Sequence, residues 1–167
     1  ILKMKNNKIR KFHSVILCNS SEIIKKMLES NFSESLEKTI SFPENDDDVI
    51  LNFIEHLYTH ELIFDNLIKT KNIERKWFQL LILCQMHEKK EYENYIIENI
   101  KKNITSSNEI NILYLIQEFK ELKPETINDI SNTVGKQIED NILNFPISTL
   151  VNKLNNISNI LNDSEIK

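Results

Sequence analysis

The chain is predicted to be an α+β protein, a small unit of short strands and helices followed by an array of helices. Three observations predict this. Runs of β-type residues bounded by turn residues occur only before about residue 65. After about residue 70 apolar residues recur at the three- and four-residue spacing of helices. Strands that mix with helices and then give way to helices alone fit an α+β layer arrangement, not an alternating parallel α/β fold.

The elements follow in order. Ile1 to Met4 is a short apolar run, Asn6-Asn7 suits a tight turn, and Lys8 to His13 returns, which reads as a hairpin. The chain opens inside a strand, so an upstream element is expected. Ser21 precedes Glu22, and Ile23, Ile24, Met27 and Leu28 then follow at helical spacing. Phe32 to Lys38 is a polar loop that carries one aromatic. Thr39 to Phe42 reads as a strand closed by Pro43. Asp46, Asp47 and Asp48 open a helix, where carboxylates meet the positive end of the helix dipole. Val49, Ile50, Phe53, Ile54, Leu57 and Tyr58 form its apolar stripe. Leu62 to Phe64 reads as one more short strand. Further helices carry Trp77, Leu80, Leu81 and Cys84, then Tyr92, Tyr95, Ile96 and Ile100. Others carry Leu113, Ile116 and Phe119, then Ile127, Ile130, Val134 and Ile138, and finally Leu150, Val151, Leu154 and Ile157. Pro124 and Pro146 lie where helices can start.

Composition excludes several functions. The chain has 167 residues, 40% of them hydrophobic and 28% charged, with a net charge of −4, so no basic excess exists to neutralise nucleic-acid phosphates. Apolar runs such as Leu80 to Cys84 are too short to cross a bilayer, and lysines interrupt every early apolar stretch, so no secretory signal peptide is read. The single glycine, Gly135, sits in a helical pattern, which rules out the glycine-dependent turns that cradle phosphates and dinucleotides. Cys18 and Cys84 lie in apolar segments without metal-ligand spacing, which fits buried reduced thiols in the cytoplasm. His56 and His60 are four apart on one helix, a spacing that could hold a metal, but no third ligand is evident beyond Glu55 or Glu61. A solvated helix face accounts for them better. No nucleophile pairs with a base, so no enzyme, cofactor or metal is expected.

The stretch His13 to Thr59 resembles the BTB/POZ domain. The resemblance rests on His13, Ile16-Leu17, Ser21, Ile24, Met27-Leu28, Phe32-Ser33-Glu34, Ile40, Phe42 and Tyr58-Thr59, in order and without gaps. Phe78 to Ile104 looks like the last two helices of that domain. Asn108 to Ile157 looks like the start of a BACK extension, with Asn144 to Leu154 similar to a typical BACK segment. The resemblance implies a BTB/POZ fold over residues 1–104 and a partial, BACK-like helical region over 105–167, as in Kelch-like adaptors. Arg10 stands where the family has an aromatic and Ser20 where it has a basic residue. The first-strand aspartate and the partner-swapped N-terminal helix have no counterpart here. The charged dimer pocket of the family is therefore not expected.

In relatives that serve cullin-3 ubiquitin ligases, the loop equivalent to Phe32-Ser33-Glu34 presents an apolar side chain and a glutamate to the cullin. The resemblance thus implies a non-enzymatic substrate adaptor that contacts a cullin-3-type scaffold through Phe32, Ser33, Glu34, Tyr58 and His87 and brings an unknown substrate protein to it. An aromatic in a polar loop has little local core to join, and covering it at an interface contributes about 1.5–3 kcal/mol. The alternative is that Phe32 folds back on its own helix through Leu28. Two other functions of the same fold stay open: a self-associating scaffold module without cullin binding, including a homodimer, and an adaptor of the cullin-1/F-box type. His13 is expected to hydrogen-bond the backbone. Abundant Ile, Asn and Lys with no Ala suit the A/T-rich genome of a large DNA virus or a protist. A viral adaptor of this kind would work in the host cytoplasm.

Overall fold

The computed structural model describes residues 1–4, 9–29, 36–62 and 72–142, together with 151, 152, 155 and 158. The described residues include three short strands and seven helices. Strands β1 (Leu2–Lys3) and β2 (Ile9–Arg10) pair antiparallel, Leu2 with Arg10 and Lys3 with Ile9, as the hairpin reading requires. The Asn6-Asn7 turn lies outside the described residues. Strand β3 (Ile40–Ser41) pairs parallel to the other side of β1, so the sheet order is β2-β1-β3. Leu2, Met4, Ile40 and Phe42 are buried, which places one face of the sheet in the core.

Helix α1 (Ser14–Ser20) follows the hairpin and buries Leu17. The sequence pattern does not predict it. Helix α2 (Glu22–Glu29) buries Ile24 and Leu28. Helix α3 (Asp47–Thr59) begins with Asp47 and Asp48 in its first turn and buries Val49, Ile50, Phe53, Ile54 and Leu57, the stripe read from the sequence. It ends at His60, whose left-handed backbone (φ 58°) lets its N–H bond back to the His56 carbonyl at 2.8 Å. Ile63 and Phe64 of the further expected strand lie outside the described residues.

Helix α4 (Ile73–Met86) buries Trp77, Phe78, Leu80, Leu81, Leu83 and Cys84, residues on most of its circumference, and so is a central helix. Its Gln79 is buried as well. The amide donates to the Glu44 carbonyl and accepts from the Asp46 N–H, both at 3.3 Å, which fixes the turn leading into α3. Helix α5 (Lys90–Lys102) buries Tyr92, Ile96, Ile97 and Ile100. Helices α6 (Glu109–Glu118) and α7 (Pro124–Ile142) pack together, with Ile112, Leu115, Ile130 and Val134 buried. Pro124 takes the first position of α7, where its missing N–H costs nothing. Val151 and Asn152 are helical, and most of the expected last helix lies outside the described residues.

The chain divides into two compact units, Ile1–Ile96 and Ile97–Lys167, so α5 runs across the division. No helix among the described residues is long and apolar enough to cross a membrane.

Candidate protein-interaction surface

Ser21 is the hinge of the first helical corner. Its N–H bonds to the Leu17 carbonyl at 2.9 Å and closes α1. Its Oγ accepts from the Ile24 N–H at 3.3 Å and caps α2. The same Oγ lies 2.6 Å from Nδ1 of His87, at the end of α4. A hydroxyl that accepts from Ile24 still has its own proton to give, so His87 Nδ1 is assigned as the acceptor and Nε2 as the protonated nitrogen. The ring is 4.9 Å from Phe53 and 6.2 Å from Phe42, and its Nε2 has no hydrogen-bond partner among the described residues. Burial, and secondarily the Lys89 ammonium, push its pKa down to about 4, so the imidazole is neutral near pH 7.

The α4–α5 turn is tied to the same corner. Lys89 Nζ donates to the Ser20 carbonyl, and Ser20 Oγ donates to the Leu57 carbonyl at 2.8 Å. The expectation that His87 presents itself to a partner is corrected here. Only 5% of His87 is exposed, because Phe42, Phe53 and Ser21 enclose it. Its neighbour Met86 turns outward instead and is 52% exposed.

At the opposite end of α2, residues 30–35 lie outside the described residues, and with them Phe32, Ser33 and Glu34. The described end of that connector holds Leu36, which is 82% exposed. Lys38, in the left-handed region at φ 51°, sends Nζ back to the Leu28 carbonyl at 3.3 Å and anchors the connector to the end of α2. Helix α2 is about 12 Å long. Its half-buried Ile23 and Met27, four apart, share one side of the helix. Sequence reasoning misses Leu36 and Met86. An apolar residue between Ser35 and Glu37 is a signal for the first, whereas Met86 reads as core at helical spacing.

Tyr58 lies at the other end of α1. Its hydroxyl accepts from the His13 N–H at 2.6 Å and lies 3.3 Å from His13 Nδ1, and its ring meets Phe12 edge-on at 5.8 Å. The expectation that the His13 ring bonds the backbone is not met. Instead the His13 N–H and its ring nitrogen both meet Tyr58.

His56 also departs from expectation. It is buried rather than solvated, because its ring stacks on Tyr92 at 4.1 Å and its Nδ1 donates to the Glu61 carbonyl at 2.8 Å. Burial lowers its pKa. The Tyr92 hydroxyl in turn donates to Asn52 Oδ1 in the core. Cys84 is buried and Cys18 only half-buried; burial raises both thiols, steeply for Cys84, and neither is in a disulfide. No group of three metal-ligating side chains occurs among the described residues.

A hairpin, a helical corner capped by Ser21, a strand parallel to the first, and a buried pair of helices thus fill the first unit. Residues 1–100 match the BTB/POZ domain. The chain belongs to the BTB/POZ family. No curated protein matches it. BTB/POZ domains are protein–protein interaction modules that bind partner proteins and dimerise, and the family is generally non-enzymatic. The exposed side chains around α2 are therefore candidates for docking rather than for catalysis.

Proposed function

We propose that this BTB/POZ chain is an adaptor that binds a cullin-3-type scaffold and brings a substrate protein to a ubiquitin ligase in the cytoplasm. Phe32, Ser33 and Glu34 are the central contacts, and the helices from residue 105 onward, similar to a BACK region, space the substrate-binding part. The observation that supports this reading is Leu36. A large apolar side chain, 82% exposed, stands on the connector that holds the Phe32-Ser33-Glu34 triplet. Isolated exposed apolar residues are common, and it is the family position of the connector that gives this one meaning. The activity would be proximity alone, a rise in effective concentration without chemistry on this chain. Phe32→Ala is expected to weaken binding to the N-terminal region of a cullin-3-type scaffold about tenfold or more, read by calorimetric titration. Unchanged affinity would remove the proposal's support.

Self-association is a second reading, favoured by a different observation. A cavity of about 470 Å³ is lined by Phe12, Leu17, Leu28 and Ile40, with Val15 at its edge, 69% exposed. Val15→Glu is expected to shift a dimer to monomer in sedimentation equilibrium, because a buried unpaired carboxylate is strongly disfavoured. A chain that is monomeric at every concentration before the substitution would exclude this reading.

A further inference from the structure

We propose that the outer edge of β2 and the adjoining flank of α3 form a second docking site, which takes an extended acidic segment of a partner protein as an added strand. Three observations meet there. First, β2 is an edge strand: in the order β2-β1-β3 only its β1 side is paired among the described residues. The chain from Ile9 to Phe12 has no helix or turn, so its outward backbone groups are open to pairing among the described residues, up to His13, whose N–H is held by the Tyr58 hydroxyl. Second, an open notch of about 470 Å³ lies beside that edge, floored by Phe12, Leu51, Ile54 and Tyr58. Third, Arg10 and Lys11 line the same notch, and neither has a carboxylate partner among the described residues.

The register explains the placement. Arg10 pairs with Leu2, whose side chain is buried, so Arg10 leaves the sheet on the same side and, although exposed, lines the notch together with residues of α3. Phe12, two residues on, shares that side. Arg10 and Lys11 border this apolar floor. Charge complementarity therefore selects an acidic partner, and the notch selects an apolar side chain between the acidic ones. Strand addition supplies affinity through the main chain, and alternate side chains supply specificity: one face of the added strand fills the notch and the other meets Ile9, which is 63% exposed. Glu55 lines the notch as well, which sets the acidic residues of the partner toward the Arg10 and Lys11 rim. This proposal does not depend on cullin binding.

The test uses the whole chain and a fluorescein-labelled heptapeptide of alternating glutamate and valine, followed by fluorescence anisotropy. A lysine–valine peptide and a backbone N-methylated glutamate–valine peptide are the comparisons. The acidic peptide is expected to bind, and the other two to bind about tenfold more weakly or worse. Arg10→Glu with Lys11→Glu is expected to reverse the charge preference, and hydrogen exchange should slow at Ile9 to Phe12 only with the acidic peptide. Equal binding of the lysine–valine peptide overturns the charge argument. Full binding by the N-methylated peptide overturns strand addition. No binding of any peptide overturns the proposal, and the peptide comparisons decide the matter even if the double variant fails to fold.

Discussion

Replacing Phe53 with alanine is expected to destabilise the BTB/POZ unit by about 3–5 kcal/mol, in the range of buried aromatic truncations. Phe53 is fully buried on α3 and its ring meets His87 at 4.9 Å. The loss is more than the transfer of a ring to water. The void opens beside a buried imidazole whose other neighbours, Ser21 and Phe42, hold the α4–α5 turn in place. Chemical denaturation followed by circular dichroism is the measurement, with the slope against denaturant unchanged and the midpoint lowered. A loss under about 1 kcal/mol would mean the site collapses around the gap. In that case the ring is not what positions the turn.

Acidification is expected to weaken the same unit by about 3 kcal/mol through His87 alone. The ring titrates near 6.5 when unfolded and near 4 when folded. Above pH 6.5 neither state carries the proton and the buried pair with Ser21 contributes fully. As the pH falls below 6.5 the unfolded chain takes up a proton that the folded chain refuses. Stability therefore drops, and the loss is complete only below about pH 4. His56 shifts the same way, since burial lowers its pKa too, so the total slope is steeper than His87 alone supplies. His87→Gln isolates the contribution, because an amide oxygen can accept from Ser21 Oγ but does not titrate. The difference in stability between the two proteins should change steadily between about pH 7 and pH 4, and parallel curves would show that folding does not shift the His87 pKa.

The elements with strong period are legible in the sequence. Helix α3 is the clearest case: acids at the start, a repeating stripe of large apolar side chains, and nothing that interrupts it. The hairpin is legible because its two runs flank a pair of asparagines. Helix α1 is not. Ser14 to Ser20 is seven residues with Val15 and Ile16 in its first turn, too short for a period, and β-branched residues argue against a helix. Tertiary contact decides it, through Leu17 in the core and Ser20 Oγ on the Leu57 carbonyl. The histidines are illegible for a related reason. A lone histidine in a sequence reads as a surface residue, and only the fold supplies Tyr92 and Glu61 to His56, or Ser21 and Phe53 to His87. The candidate docking side chains divide similarly. Phe32 is flagged by its polar neighbours, whereas Met86 sits at a core-like spacing yet is exposed at the last residue of α4.

Among the described residues, each strand of this BTB/POZ unit is two residues long, too small a sheet to dictate how the helices line up beside it. Apolar burial holds them together but is indifferent to a slide of one turn. Gln79 on the Glu44 carbonyl and the Asp46 N–H, Tyr92 on Asn52 and His87 on Ser21 are not indifferent, since each hydrogen bond is directional and needs its particular partner in place. They act as dowels between beams: cohesion comes from the grease, and alignment from a handful of hydrogen bonds.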